Sequence, residues 1–237
     1  MMLGKLGDPI TSRTMIKEGY RELSVLTKVK VKLGYVDPGI LKPHEKYIES
    51  RVETLLESIR RTGYLLRPLI VDEITGSVVD GAHRLEALKR IGVSRIPVVM
   101  VDYLNEDEIK VDRWIRVYEG NVEVLRRLLK LIEDNIPGRI LESRGSRIVY
   151  EVNEDTGSKA YRILSALEEE LGDSVKLRFK DRVPRRDSNK LIVLPPRLRK
   201  IDVVEAALKG ELLPPKTTRH VTILKRVMLK VRVFHLL

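Results

Sequence analysis

Four residues in the stretch VVDGAHRLEALKRIG, residues 78–92, are of types that could bind a charged ligand. A β-prone run ends at Asp80 and Gly81, and His83 and Arg84 follow where a helical pattern begins. The first turn of a helix exposes unpaired N–H groups and the positive end of the helix dipole, and a glycine there lets a phosphate approach the backbone. An arginine can form paired hydrogen bonds with phosphate oxygens, and a histidine can donate one more.

The carboxylate of Asp80 does not suit a bare phosphate, because both groups are negative. A Mg²⁺ ion that bridges Asp80 to the phosphates would explain its presence. The set therefore indicates a nucleotide polyphosphate with a metal ion as the ligand. An N-capping aspartate, a turn glycine and two surface side chains explain the same spacing without any ligand.

Two further clusters have residue types that could act on a small substrate. In LKPHEKY, residues 41–47, Glu45 lies in a predicted loop between strand and helix, where it could accept a proton from an attacking hydroxyl or only begin a helix. PPKTTRHV, residues 214–221, offers several hydrogen-bond donors to a small carboxylate ligand or to nucleic-acid phosphate, or is a solvated loop. Trp114, the only tryptophan, could be a core residue or the wall of a small pocket.

The elements that must position these clusters alternate between strands and helices. In the first half we predict a hairpin turning at Thr75–Gly76, a buried strand IPVVMVDY, and helices that end at Gly63 and Gly92. In the second half, from about residue 116, we predict three helices and three strands. These are the helices NVEVLRRLLKLIEDN with Asn121 as N-cap, KAYRILSALEEELGD ending at Gly172 and IDVVEAALKG ending at Gly210, and the strands SRIVYEV, SVKLRFK and KLIVLPP. We expect an irregular segment at ELLPPKTTRHV, and a strand or a basic amphipathic tail at TILKRVMLKVRVFHLL.

The composition excludes several classes of protein and leaves the partner open. The chain has 237 residues, enough for one large domain or two small ones, and its hydrophobic content of 43% indicates a globular protein. It contains no cysteine, which excludes disulfides, thiol catalysis and cysteine-ligated metal centres. The net charge of +11 is compatible with a nucleic acid, an anionic surface or a phosphorylated ligand.

The composition also suggests a location and a host. No apolar run approaches the ~18 residues of a membrane span, and the start MMLGKLGDPITSR lacks the apolar segment of a secretory signal. We therefore expect a cytoplasmic protein without a membrane partner. A charged fraction of 33% with no glutamine and five asparagines is typical of hyperthermophile proteins.

The segment DGAHRLEAL, residues 80–88, resembles the nucleotide-binding signature of the ParB/sulfiredoxin superfamily, Gly-x-His-Arg at a helix N-terminus. Sulfiredoxins need a catalytic cysteine in this motif, where this chain has Ala82, so that activity is excluded. ParB partition proteins bind CTP and DNA and carry a helix-turn-helix domain, whereas the second half here alternates helices with strands. The third branch contains the archaeal free L-serine kinases, which make O-phospho-L-serine.

The chain resembles this third branch most, through three separated segments that span nearly its whole length. They are LKPHE at 41–45, VVDGAHR at 78–84 and PPKTTRHV at 214–221, in the order of that family, and Trp114 falls where the family has its pocket tryptophan. Ala82 is a departure, because some members have a second histidine there, and it puts a phosphate contact or the nucleotide preference in doubt.

The resemblance implies a role for each residue of the three segments. Glu45 would be the general base or orienting carboxylate for the serine hydroxyl, and Asp80 would be catalytic, close to the transferred phosphoryl group and its Mg²⁺. The residues that would hold the phosphates are Gly81, Ala82, His83 and Arg84. The residues that would contact serine are Trp114, Thr218 and His220, with Arg219 near the serine carboxylate.

We therefore expect a mixed α/β fold with α+β character. A ParB/sulfiredoxin-like nucleotide-binding domain would occupy residues 1–115 and a second α/β domain residues 116–237. The active site would lie in the cleft between them, to which the segment 214–221 returns.

The function implied is phosphoryl transfer from ATP or ADP to L-serine, with Mg²⁺, in amino-acid metabolism such as cysteine biosynthesis. The partners would be serine and nucleotide, with no nucleic acid, and the oligomeric state stays open. The alternative is a ParB-like, nucleotide-dependent DNA-binding protein, which the net positive charge favours.

Overall fold

The computed structural model describes residues 21–24, 30–185 and 189–237. Our expectation about the N-terminal stretch MMLGKLGDPITSR lies outside these residues. Up to residue 112 the elements are β1 (Arg21–Ser24), β2 (Lys30–Val36), β3 (Lys42–Pro43), α1 (Glu49–Thr62), β4 (Tyr64–Leu65), β5 (Leu69–Asp72), β6 (Ser77–Asp80), α2 (Ala82–Ile91), β7 (Ile96–Val101) and β8 (Lys110–Asp112).

Beyond residue 112 the chain continues with strands, three further helices and short 3₁₀ turns. The elements are β9 (Ile115–Glu119), α3 (Val122–Asn135), β10 (Gly138–Arg144), β11 (Arg147–Val152), α4 (Gly157–Leu171), β12 (Lys176–Lys180), β13 (Lys190–Leu194), α5 (Lys200–Lys209), β14 (Arg219–Val221) and β15 (Val231–Arg232). The predicted mixed α/β class is confirmed.

The first sheet has the strand order β1-β2-β7-β5-β6-β3 and carries the Asp80 corner at the end of β6. Its central strand β7 is buried along its whole length. Val98 and Met100 pack with residues of α1 and α2, whereas Val99 and Val101 pack with residues of α5. Because helices cover both faces, this strand is a continuous apolar run rather than an alternating one.

The helices of the first half end where the glycines predict. The buried face of α1 consists of Val52, Leu56 and Ile59, and the helix ends at Gly63, which has a left-handed backbone. Gly92 ends α2 in the same conformation. The predicted hairpin is confirmed, because β5 and β6 pair antiparallel around the turn at residues 73–76.

The second sheet has the strand order β10-β11-β13-β9-β12 and a core formed with α3 and α4. As predicted, Asn121 caps α3 through its side chain, and α4 and α5 end at Gly172 and Gly210. The helices α3 and α4 are separated by two strands of this sheet, so they do not form the helix-turn-helix of a ParB partition protein.

The C-terminal quarter of the chain packs back on the first sheet. Val203 and Val204 of α5 share a core with Ile70 and Val79. The final 3₁₀ turn, Val233–Leu236, packs into the core on the opposite face. The domain boundary at residues 115 and 116 stays a prediction, and the contacts described here run across it.

Some elements differ from our expectation. The strand β10 was not predicted because it is a largely exposed edge strand without regular alternation, and β8 and β9 around Trp114 were also missed. The last segment, predicted as a strand or a basic amphipathic tail, instead forms 3₁₀ turns at Ile223–Arg226 and Val233–Leu236 with the two-residue β15 between them. Among the described residues, no helix is long and apolar enough to cross a membrane.

Candidate active site

A cavity of about 190 Å³ lies where β6 ends and α2 begins, and residues from all three predicted clusters line it. The predicted return of the segment 214–221 to this place is confirmed, because Thr218 donates to Glu45. The lining residues that matter below are His44, Glu45, Lys46, Arg51, Asp80, Gly81, Ala82, His83, Trp114, Lys216, Thr218, Arg219, His220 and Lys225. Arg84 is absent from this lining.

The N-terminus of α2 forms one wall of the cavity. Gly81 is its N-cap residue, with φ of 112°, and no side chain caps the first turn. The N–H groups of Ala82 and His83 at such a position have no intrahelical acceptor, and the helix dipole favours an anion there. Ala82 has only a methyl side chain, so any contact that it makes with a phosphate is through its backbone.

Replacing Gly81 by alanine should destabilise the protein by about 1–3 kcal/mol, because left-handed backbone strain and a steric clash act together. A Cβ at Gly81 would lie 2.9 Å from Cγ of Leu69 and 3.1 Å from a guanidinium nitrogen of Arg84. Gly92→Ala is the matched control, since its φ is also positive but nothing lies within 4 Å of its Cβ position. Denaturant unfolding of both variants measures the difference. Equal losses of unfolding free energy in the two variants would show that the steric clash at Gly81 does not contribute.

Arg84 stabilises the turn between β6 and α2 from outside the cavity. Its guanidinium donates to the carboxylate of Asp80 and to the backbone carbonyl oxygens of Pro68 and Arg67. Burial lowers the pKa of Arg84, and the charge of Asp80 opposes this effect. These contacts do not support the predicted phosphate-binding role of Arg84. They indicate that it orients the Asp80 carboxylate.

Asp80 has a second cationic partner. Nζ of Lys225, in the 3₁₀ turn Ile223–Arg226, lies 3.2 Å from Oδ1 of Asp80, and Arg84 contacts Oδ2. Asp80 is therefore held between one cation from α2 and one from the C-terminal segment. Of these two cations, only Lys225 lines the cavity together with the α2 N-terminus, where an anion would bind.

Glu45 is the most constrained carboxylate of the cavity. The N–H of Thr218 lies 2.5 Å and its hydroxyl 2.6 Å from Oε1, and the N–H of Lys216 lies 3.2 Å from Oε2. Burial by itself raises the pKa of Glu45, but the nearby His44 ring and the hydrogen bonds from the hydroxyl and N–H of Thr218 outweigh burial and lower the pKa. Glu45 is thus ionised at neutral pH and available to accept a proton.

The loop of Glu45 is fixed by backbone pairing with the C-terminal segment. His44 and Lys46 exchange hydrogen bonds with the backbone of Leu213, at 2.8 and 2.9 Å. Farther along, β14 pairs antiparallel with β8, so that Arg219 lies opposite Asp112. These two pairings place Thr218 beside Glu45.

His83 is held as a neutral ring. Its Nε2 accepts the backbone N–H of Ile48 at 3.0 Å, so the ring proton is on Nδ1. Burial lowers the pKa of His83, and the charges of Arg51 and Lys216 lower it further. A neutral ring with Nδ1–H can donate one hydrogen bond to a phosphate oxygen, as predicted for a phosphate-binding residue.

Trp114 joins β9 to the C-terminal segment. Its indole N–H donates to the carbonyl oxygen of Thr218 at 2.9 Å. The ammonium group of Lys216 lies 4.8 Å and the guanidinium carbon of Arg219 5.7 Å from its ring centroid. Arg219 also contacts Asp112 at 3.2 Å. Trp114 therefore forms a wall of the cavity rather than part of a core.

His220 is buried in the same wall. Its Nε2 lies 2.7 Å from the hydroxyl of Tyr103, and its ring makes an edge contact with His44, with centroids 5.3 Å apart. Burial lowers the pKa of His220 well below its ordinary value, and the nearby positive charge of Lys225 adds to this. Burial also raises the pKa of Tyr103, so this contact joins a neutral phenol to a neutral imidazole.

The cavity has more positive than negative groups. Lys46, Arg51 and Lys225 were not predicted from the sequence as site residues, and Lys216 was predicted only as one donor of a polar segment. Lysine and arginine are common in this chain, so residue type alone does not distinguish these four cavity residues from the other basic residues. The acidic groups of the cavity are the carboxylates of Glu45 and Asp80, so positive charge is in excess, which suits a polyphosphate.

The described residues contain no cluster of three or more acidic or histidine side chains that could hold a metal ion by themselves. Mg²⁺ is commonly bound by one or two carboxylates together with substrate phosphates. Asp80 fits that pattern, since it lines the cavity beside the α2 N-terminus.

Comparison with known proteins gives one family match and several relatives over most of the chain. The ParB N-terminal domain family matches residues 18–113. A ParB-like protein of Sulfolobus acidocaldarius is 30% identical, over 80% of this chain and 90% of the relative. The ADP-dependent L-serine kinase SerK of Thermococcus kodakarensis is 28% identical, over 81% and 88%. An ATP-dependent L-serine kinase of Staphylothermus marinus is 29% identical, over 83% and 90%.

Among solved structures, a free serine kinase mutant in complex with ADP has the same fold. Its TM-score is 0.68 at 20% identity, and the match covers 89% of this chain and 95% of that chain.

Proposed function

This chain belongs to the ParB-like family, and from that premise we propose that it is a free L-serine kinase that forms O-phospho-L-serine. The observation that carries the proposal is one cavity that contains both an ionised, immobilised Glu45 and the uncapped N-terminus of α2. The two L-serine kinases that align over more than four fifths of the chain support it.

The reaction needs positioning and charge stabilisation more than covalent chemistry. The serine hydroxyl oxygen forms a bond to the terminal phosphorus of the nucleotide, and the bond from that phosphorus to the bridging oxygen breaks. The leaving nucleotide keeps the electron pair, and Glu45 takes the hydroxyl proton. We assign the phosphates to the α2 N-terminus at Gly81, Ala82 and His83.

We assign the serine to the wall formed by Trp114, Thr218, Arg219 and His220. In this arrangement the hydrogen bonds of Trp114 and Glu45 to the backbone of Thr218 hold that segment in place. The guanidinium of Arg219 is the group of this wall that suits the serine carboxylate. Asp80 is assigned to the transferred phosphoryl group, where Arg84 and Lys225 fix both of its oxygens.

Mg²⁺ belongs to the proposal as the ion that would accompany the phosphates. Asp80 would hold it, and the ion would offset the negative charge that two phosphates and a carboxylate bring together. Titration of Mg²⁺ in the presence and absence of nucleotide tests this assignment, because a phosphate-borne ion should bind measurably only with the nucleotide.

Lys225 should contribute to nucleotide binding, so that Lys225→Met raises the KM for the nucleotide about 10-fold or more, the effect of losing one charge-assisted hydrogen bond. The residue lines the cavity and already contacts an acidic group there. Lys209→Met is the matched control, because Lys209 lies on α5 and pairs with Glu205 outside this cavity. Steady-state kinetics with varied nucleotide gives the answer. An unchanged KM in Lys225→Met would remove Lys225 from the site.

The function itself is tested by incubating the purified chain with L-serine and Mg²⁺ and either ATP or ADP, and by detecting phosphoserine by mass spectrometry. We expect product with at least one donor, and the comparison of the two identifies the donor. L-Alanine, which lacks the hydroxyl, is the control substrate. No phosphoserine with either nucleotide, together with salt-sensitive binding of duplex DNA, would instead favour the ParB-like DNA-binding alternative.

The proposal extends to the setting of the enzyme. We place it in the cytoplasm, with serine and nucleotide and no nucleic acid as partners, in amino-acid metabolism such as cysteine biosynthesis. A hyperthermophilic host is proposed from the charged fraction of 33% and the absence of glutamine. Thermal unfolding of the purified chain tests the last point.

A further inference from the structure

His44 is a buried ring with a hydrogen-bond partner at each nitrogen. Its Nδ1 lies 3.0 Å from the carbonyl oxygen of Val78, and its Nε2 lies 2.9 Å from Oγ1 of Thr218. A carbonyl oxygen only accepts hydrogen bonds, so Nδ1 carries a proton. What Nε2 carries depends on the orientation of the Thr218 hydroxyl.

The Thr218 hydroxyl connects His44 to Glu45. Its oxygen lies 2.6 Å from Oε1 of Glu45 and has a single proton to donate. The chain from Nε2 through Oγ1 to Oε1 therefore has two fully hydrogen-bonded arrangements. In one, Nε2–H donates to the hydroxyl, which donates to the carboxylate. In the other, a protonated Glu45 donates to the hydroxyl, which donates to Nε2.

The two arrangements differ only in the positions of two protons along the chain. No heavy atom has to move, because backbone N–H groups of Thr218 and Lys216 hold the carboxylate in place. The path is also shielded from solvent, since His44 is only 6% and Thr218 only 7% exposed. A proton received by Glu45 can therefore reach His44 without passing through bulk water.

We propose that His44 is a positioning residue that acts through Thr218 as the terminal proton acceptor behind Glu45, an inference that rests on the proposed kinase function. As the serine oxygen–phosphorus bond forms and the phosphorus–bridging oxygen bond breaks, the hydroxyl proton passes to Glu45. One proton then moves from Glu45 to Oγ1 of Thr218 and another from Oγ1 to Nε2. The result is an imidazolium at His44 and a carboxylate at Glu45, and the proton leaves to solvent after product release.

The surroundings of His44 favour this end state. The carboxylate of Glu45 lies 3.7 Å from Nε2 and would stabilise the imidazolium. The facing ring of His220 is neutral, because burial lowers its pKa, and Tyr103 behind it is protonated. The positive charges of Lys225 and Lys200 lower the pKa of His220 further, which also keeps that ring neutral.

The test uses four variants and the pH profile of kcat/KM. His44→Gln can still reach Thr218 but accepts no proton, and Thr218→Val keeps the backbone N–H to Glu45 but breaks the chain. We expect each to lower kcat about 10–100-fold, less than loss of the base itself. The acid limb should also shift, because in both variants the transferred proton stays on the Glu45 carboxylate instead of reaching the His44 ring. Thr218→Ser should retain the wild-type limb.

The fourth variant, which combines His44→Gln with Thr218→Val, should be no slower than the slower single variant, because both changes break one chain. His235→Gln is the matched control, since His235 is exposed and does not line the cavity. Thermal unfolding verifies that each variant is folded. An acid limb unchanged in His44→Gln and Thr218→Val, or losses that multiply in the double variant, would overturn the relay. An inactive wild-type chain would instead overturn the kinase function.

Discussion

Replacing Glu45 by glutamine should lower the turnover of phosphoserine formation by about 10²–10⁴-fold while nucleotide binding persists. Glutamine has nearly the shape of glutamate and can still accept from Thr218, but it cannot take the serine proton. The bound nucleotide is assigned to the α2 N-terminus, which the substitution leaves intact. A fall in kcat with little change in nucleotide affinity is the signature of a lost proton acceptor.

The measurement compares kcat by phosphoserine detection with nucleotide affinity by calorimetry. Glu49→Gln is the matched control, because Glu49 begins α1 four residues away and pairs at the surface with Arg90. A folded Glu45→Gln protein with near-normal turnover would exclude Glu45 as the base. Equal losses in kcat and in nucleotide affinity would point to a binding role instead.

The ionisation of Glu45 determines how activity and stability should change with pH. Its pKa is lowered in the folded state, so the carboxylate is ready to accept a proton throughout the neutral range. A lowered carboxyl pKa also contributes stability above the ordinary carboxyl pKa, and that contribution is lost as the pH falls through the folded-state pKa. Acidification should therefore weaken the contact of Glu45 with Thr218 together with activity.

The second large effect is expected for Asp80→Asn, where kcat and nucleotide affinity should change in opposite directions. Loss of the carboxylate removes a charge that orients the transferred phosphoryl group, and we expect kcat to fall by about 10²–10³-fold. The same change removes a negative group beside the phosphates and releases Lys225 from its ion pair. In the absence of Mg²⁺, nucleotide should therefore bind as tightly as before or more tightly.

The Asp80→Asn variant should also lose stability, by about 1–3 kcal/mol, because Arg84 keeps a buried guanidinium without its anionic partner. Asp202→Asn is a control for removing an arginine-paired aspartate elsewhere, since Asp202 pairs with Arg199 at the start of α5. Calorimetric titration and steady-state kinetics separate the two expected effects. Weaker nucleotide binding with unchanged kcat would reverse the assignment of Asp80.

Much of the fold was predictable because its signals are local. Gly63, Gly92 and Gly210 end helices in a left-handed backbone that other residues avoid, so a single letter marks each boundary. Continuous and periodic apolar runs identified the buried strand β7 and the helices that cover it. The exposed edge strand β10 was missed because neither its burial nor its sequence shows a periodic apolar pattern.

The sequence by itself determined which chemistry is available: a helix N-terminus with Gly81 and His83, the carboxylates of Glu45 and Asp80, and a donor-rich segment near the end of the chain. Only the tertiary structure decided which residues these groups contact. In the folded chain Arg84 contacts Asp80 and two backbone carbonyl oxygens, and Lys225 also contacts Asp80. The Thr218 hydroxyl connects His44 to Glu45. Such contacts join residues far apart in the chain. They depend on how α5 and the final segment pack on the first sheet, and packing of that kind leaves no pattern in the local sequence.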